Sequence, residues 1–185
     1  MAVMNHVIRS IRSDEWRAVK ELRLAALRDP VAHLAFLETY EEAAAKSDAY
    51  WRERTAGAAE GVTARQQFIA EGPDGSWDGA VTVLVEDVGS QDPFGGVVEQ
   101  DQGHLVGVFV RPGQRGRGVT EALFEAALAW SWEVADVERV RLFVHERNAR
   151  AERFYRRVGF VPTGVTAPVP GEPEAREVEF AVKRP

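Results

Sequence analysis

Val7, Ile8 and Ile11 alternate loosely with Arg9, Ser10 and Arg12, a pattern that predicts a short strand over residues 7–12. Ser13, Asp14 and Glu15 then have N-cap and first-turn character. Val19, Leu22, Leu24, Ala26 and Leu27 recur at helical spacing until Asp29-Pro30 stops the helix. A second helix is predicted over residues 39–59, carrying Tyr40, Ala43, Ala44, Tyr50, Trp51 and Arg54. The run Gln67-Phe68-Ile69-Ala70, the turn Gly72-Pro73-Asp74-Gly75 and the β-branched stretch 80–85 read as a hairpin. Residues 87–103, rich in Gly, Asp and Pro, read as a long loop, and loops of that length in a compact domain usually serve function.

The second half is more strongly patterned. Leu105-Val106-Gly107-Val108-Phe109-Val110 is too continuously apolar for a strand with one wet face, so it is expected at the centre of a sheet covered on both sides. Val119, Leu123, Ala127 and Trp130 fall on one face of a following helix, where Trp130 and Trp132 are assigned to packing. Residues 139–145 predict another buried strand and residues 149–158 a helix that ends at Gly159, since glycine takes the left-handed stop most cheaply. Phe160-Val161 and residues 177–182 are expected as closing strands, joined by a Pro/Gly-rich loop over 162–173. The fold class is α/β (α+β), a mixed central sheet flanked by helices, in one domain spanning residues 1–185.

Composition narrows the chemistry. With 23 Lys+Arg against 29 Asp+Glu, the net charge of -6 gives no general basic field for nucleic acid. No cysteine is present, which excludes disulfides, a thiolate nucleophile and Cys-ligated metal sites. The four histidines, His6, His33, His104 and His145, show no metal-ligand spacing, and no structural metal is expected. Arginine and acid arrive before any apolar leader forms and no apolar run approaches ~18 residues, so neither a signal peptide nor a membrane span is expected and the location is read as cytoplasmic.

Against that acidic background, Arg111-Pro112-Gly113-Gln114-Arg115-Gly116-Arg117-Gly118-Val119-Thr120 stands between a buried strand and an amphipathic helix. Glycines let backbone approach a bulky anion, and helix-start amides with the macrodipole favour negative charge there. The bland alternative is a plain strand-to-helix turn with solvated arginines. No Lys-Ser/Thr follows Gly118, and the glycine spacing is not G-x-G-x-x-G, so Walker-type nucleotide hydrolysis and dinucleotide binding both lose ground.

A second segment, Asn148-Ala149-Arg150-Ala151-Glu152-Arg153-Phe154-Tyr155-Arg156-Arg157-Val158-Gly159-Phe160, settles the comparison. Together the two resemble the GNAT acyl-CoA N-acyltransferase superfamily, whose pyrophosphate loop is R-G-x-G-hydrophobic-G/A. Thr120 departs from the usual glycine or alanine of that pattern. The resemblance covers nearly the whole chain, most specifically residues 105–160. It implies the element order strand, two helices, hairpin, central strand, helix, strand, helix and two terminal strands.

The resemblance also implies a site. Backbone amides of Gln114, Arg115, Gly116, Arg117, Gly118, Val119 and Thr120 would hold the pyrophosphate of acetyl-CoA, the co-substrate; the charge-rich stretch 147–157 reads mostly as a solvated helix face, from which Arg156 or Arg157 could meet the adenosine-side phosphate. Val108, Phe109 and Val110 would pair with pantetheine as an added strand does. Asn148 would contact pantetheine as well as cap the last helix, and Tyr155 would protonate the departing thiolate. The opposing reading makes Tyr155 a core residue with a bonded hydroxyl. His104 resembles in position the base of the histone-acetylating branch, with Glu99, Asp101 or an ordered water as rivals. Phe36, Tyr40 and Trp51 would border the acceptor site, although helical spacing favours core packing for each.

The activity implied is transfer of acetyl to a primary amine by direct attack, the acceptor being a small molecule or a protein. Nucleic acid and membrane are not expected as partners, and the protein is expected as a monomer or homodimer. The competing reading is an acyl-CoA-binding sensor or interaction module on the same fold, without turnover.

Overall fold

The computed structural model describes residues 5–185; residues 1–4, the first part of the start read above, lie outside it. One seven-stranded sheet runs through the molecule in the order β1-β2-β3-β4-β5-β7-β6. Its strands are β1 (Val7–Ser10), β2 (Arg65–Glu71), β3 (Trp77–Glu86), β4 (Gln102–Val110), β5 (Arg139–His145), β6 (Val161–Val169) and β7 (Glu172–Lys183). All neighbouring pairs are antiparallel except β4 with β5, which is parallel.

The helices α1 (Trp16–Leu27), α2 (Ala32–Ala35), α3 (Tyr40–Ala44) and α4 (Asp48–Ala56) all lie between β1 and β2. The predicted second helix over 39–59 is therefore two helices, because Ser47 accepts from the Tyr50 amide and starts a new one, just as Thr39 caps α3 in a capping box. A short turn of helix, α2, stands where none was expected. α5 (Val119–Glu133) and α6 (Ala149–Arg157) cover the sheet on the opposite side.

Two apolar layers result. One packs Phe68, Val81, Leu105, Val140 and Leu142 of the sheet against Leu123 and Phe124 of α5 and Tyr155 of α6. The other packs Ile69, Ala80 and Phe109 against Val19, Leu22 and Trp51. Trp51 is wholly buried and Trp130 packs on Phe68, as their spacing predicts.

The largest departure from expectation is β6. Residues 162–173 were expected as a loop, yet most of them form a strand paired with β7. As the outermost strand of the sheet, β6 can hold Pro162 and Pro168 where a missing N–H disturbs no second ladder, and Gly164 at φ 91° absorbs a register shift. The segment 87–101 is indeed mostly irregular, with an isolated bridge between Gln91 and Val97. Among the described residues no helix is long and apolar enough to cross a membrane, and no group of three or more His, Asp or Glu is arranged to hold a metal.

Candidate active site

The site is made by a fork in the sheet. β4 and β5 are paired only at Gly103–Val140 and His104–Arg141, and beyond these residues the strands part. On its other edge β4 carries a bulge: Thr82 pairs with Val106 and Ala80 with Phe109, so β4 spends one residue more than β3. Gly107 takes φ 63° there, a conformation costly for residues with a side chain. The edge of β4 that faces the fork therefore presents backbone groups that β5 does not engage.

Val108, Phe109 and Val110 line a cavity of about 350 Å³ that runs to the start of α5 and along α6. In the loop, the Gln114 and Arg115 amides donate to the carbonyls of Arg111 and Pro112. Of the seven residues expected to offer amides to phosphate, those without a backbone acceptor among the described residues are Gly116, Arg117, Gly118, Val119 and Thr120. Gly116 and Gly118 have φ 73° and 85°, and Gly118 is the N-cap of α5 with no side-chain cap, which leaves the helix start open to an anion.

Arg115 is occupied elsewhere. Its Nε donates to the Val110 carbonyl and its Nη2 to Asp29, so it ties the loop to the end of α1. The positive lining comes instead from Arg150 and Arg153, which have no carboxylate partner among the described residues, and from Arg157, paired with Glu121. Arg156 is bound to Glu152 and lines neither cavity, and Arg117 is exposed and lines neither.

A second cavity of about 370 Å³ meets the first, and Phe36, Val108, Asn148 and Tyr155 line both. Asn148 caps α6 by accepting from the Ala151 amide. Tyr155, 8% exposed, stacks on Phe124. Its hydroxyl has no hydrogen-bond partner among the described residues, which disfavours the reading of a core tyrosine with a bonded hydroxyl. Burial, and then the charge of Glu177, hold this phenol well above its usual pKa, so it stays protonated.

His104, 2% exposed, lines the second cavity, and its Nδ1 lies 3.2 Å from Glu86 Oε2. Glu86 accepts from Arg141 Nε at 2.9 Å and Nη2 at 3.1 Å. Burial works to raise the Glu86 pKa, but the hydrogen bonds and charges of His104 and Arg141 outweigh it and hold the carboxylate ionised. A donor Nδ1–H turned to Glu86 leaves the Nε2 lone pair for the cavity.

Glu177 of β7 is a second titratable group on this wall, pushed up to about 7 by burial and then by Glu172. Glu99 and Asp101, weighed above as rivals of His104, are exposed and line neither cavity; Asp101 accepts from the Val88 amide instead. Phe36 is a wall of both cavities rather than core packing alone, whereas Trp51 and Tyr40 line neither. Glu86, Glu177, Arg150 and Arg153 escaped sequence reasoning, whereas Arg157 was among its candidates. Each belongs to a segment whose local pattern is an ordinary strand or helix.

The acetyltransferase (GNAT) family model matches residues 12–160 of the chain. Among solved structures, the PaiA N-acetyltransferase of Thermoplasma acidophilum in complex with coenzyme A is 14% identical, with a TM-score of 0.71 over 98% of this chain and 100% of that one. The GNAT domain of S. lividans PAT is 17% identical, with a TM-score of 0.69 over 96% of this chain and 90% of that one. Spermidine N-acetyltransferase from Vibrio cholerae, solved with CoA and spermine, is 15% identical, with a TM-score of 0.63 over 97% and 95%.

Proposed function

Because the chain belongs to the GNAT acetyltransferase family, we propose that it is a single-domain N-acetyltransferase that moves acetyl from acetyl-CoA to a primary amine. The observation that carries this reading is the meeting of two cavities at Val108, Asn148 and Tyr155. One has the free amides and basic lining that suit a pyrophosphate and a terminal phosphate; the other has titratable groups that suit an amine. Acetyl-CoA supplies an activated thioester, whose C–S bond breaks as the amine nitrogen bonds to the carbonyl carbon.

The chain's residues then have these roles. Gly116 to Thr120 amides and the α5 N-terminus hold the phosphates, with Arg150, Arg153 and Arg157 at the far end. The unpaired edge of β4 at Val108, Phe109 and Val110 and the side chain of Asn148 orient pantetheine. His104, oriented through Nδ1 by Glu86, accepts the amine proton at Nε2. Tyr155 gives its proton to the sulfur; burial keeps that proton on the phenol until the thiolate forms beside it.

The test is acetyl-CoA consumption across a panel of amines with the wild type and Tyr155→Phe. The wild type is expected to turn over, and the variant to lose about 10²- to 10⁴-fold in kcat with CoA affinity and Tm nearly unchanged, since the lost hydroxyl has no protein partner. Full activity in Tyr155→Phe removes the tyrosine from the chemistry. CoA binding without any turnover in the wild type favours the sensor reading.

A further inference from the structure

The wall of the acceptor cavity opposite the fork carries three arginines, Arg23 of α1, Arg54 of α4 and Arg65 of β2. Their charges are not balanced. Arg23 donates through Nε and Nη2 to Glu38 at 3.1 and 3.0 Å, and it is the one of the three that meets a carboxylate among the described residues. Arg54 reaches only a neutral oxygen, donating from Nη1 to the Tyr50 hydroxyl at 3.0 Å. Arg65 has no side-chain partner, and beside it Gln67 and Thr82 also line the cavity without side-chain partners among the described residues. Burial, and then the nearby charge of Arg54, pull the Arg23 pKa down in spite of the hydrogen bond and charge of Glu38.

The negative groups on the same cavity do not cancel this excess. Glu38 is spent on Arg23, and Glu177, pushed up to about 7, carries only about half a negative charge at neutral pH. Glu86 stands outside the lining, behind His104, and is already held by His104 and Arg141.

Resting on the acetyltransferase reading above, we infer that the acceptor is a small amine that also bears a carboxylate, an amino acid rather than a polyamine. The carboxylate sits between Arg54 and Arg65 while its amine faces His104 and Tyr155. Register supports this spacing: Arg65, Leu84 and His104 stand directly across from one another on β2, β3 and β4. Two strand spacings put the Cα atoms of Arg65 and His104 about 10 Å apart, a gap that an arginine side chain shortens to the span of a small amino acid. A cavity of about 370 Å³ is of small-ligand size.

The experiment compares kcat/KM for amino acids, their carboxamides and a linear polyamine, using wild type, Arg54→Gln and Arg65→Gln. Amino acids are expected to exceed their carboxamides by about ten- to a hundredfold, as charge-assisted bonds of this kind are worth. That preference should collapse in either variant through KM more than kcat, with CoA affinity by calorimetry unchanged. Arg65 is exposed, so Arg65→Gln keeps a folded reference if Arg54→Gln loses Tm. Acetylation of the polyamine or the carboxamides at equal or better efficiency overturns the inference while N-acetyl transfer stands. A preference for amino acids that persists in both variants overturns the arginine assignment, and CoA binding with no amine acetylated overturns the inference and the acetyltransferase reading together.

Discussion

His104 and Glu177 reach the same cavity from different strands, and their surroundings assign them different work. His104 has a carboxylate on its far nitrogen, itself held by Arg141, which is how a base is kept in one tautomer. Glu177 has no such orienting partner among the described residues and is desolvated beside Tyr155. In steady-state assays, His104→Gln is therefore expected to lower kcat by about 10²- to 10⁴-fold with CoA affinity unchanged. Glu177→Gln should leave kcat near the wild-type value; a loss of that size there instead would move the base to Glu177. Stability gives Glu177 a signature of its own. Raised from 4.5 unfolded to about 7 folded, its proton favours the folded state, a contribution complete below pH 4.5 and lost as pH climbs through about 7. Urea midpoints of wild type relative to Glu177→Gln should accordingly fall across that window.

At the level of elements, the loop before α5 combines an unfilled helix start with two left-handed glycines. Gly118 has open space where a Cβ would stand, so substitution there strains the backbone and fills the space proposed for the phosphate rather than colliding with protein. Gly118→Val should cost about 1–2 kcal/mol of stability from the left-handed conformation and weaken CoA binding by more than tenfold in calorimetry; unchanged affinity in the folded variant would remove the loop from the phosphate site. This loop, α5, β5 and α6 were legible in the sequence because each is local: a glycine spacing, an apolar face, a capping asparagine. β6 was not, because proline and glycine signal a loop unless one knows that the strand lies at the sheet's edge. The break at Ser47 was a cap hidden inside an otherwise helical stretch. The wall of the second cavity was illegible for a different reason: Arg23, Arg54, Arg65 and Glu177 come from α1, α4, β2 and β7, and only the sheet order brings them to one space.

Across the whole molecule, the closed end of the fork is held by charge. Arg141 bonds Glu86 and Glu179 and approaches Asp92 at 3.3 Å, while Arg139 bonds Glu179, so ion pairs bridge β3, β5, β7 and the 87–101 segment, and a hydrogen bond from Arg139 to Gln102 adds β4. Burial opposes ionisation of Glu86 and Glu179, but their hydrogen-bonded partners keep both below the usual carboxylate range. Arg141→Met would leave Glu86 without its arginine and Glu179 with Arg139 as its one arginine, and should cost about 3–5 kcal/mol in urea unfolding at neutral pH. Because the wild-type carboxylates contribute above their unfolded pKa and cease to as pH falls through the folded one, the gap between the two proteins should narrow in acid; an equal gap at every pH would mean that these ion pairs do not hold the fork. The open end owes its form to the bulge at Gly107. Leu105 lies in the layer beneath α5 and Phe109 in the layer beneath α1, although on an unbroken strand two positions four apart share a face. Beyond the bulge Val110 has taken over the α5 side. One additional residue thus reverses the phase of the strand midway. No substitution at 107 undoes that, whereas deleting the residue would turn Phe109 towards α5 and Val110 away from it. The switch from covered strand to open rail is written in the count of residues along β4 more than in their identity.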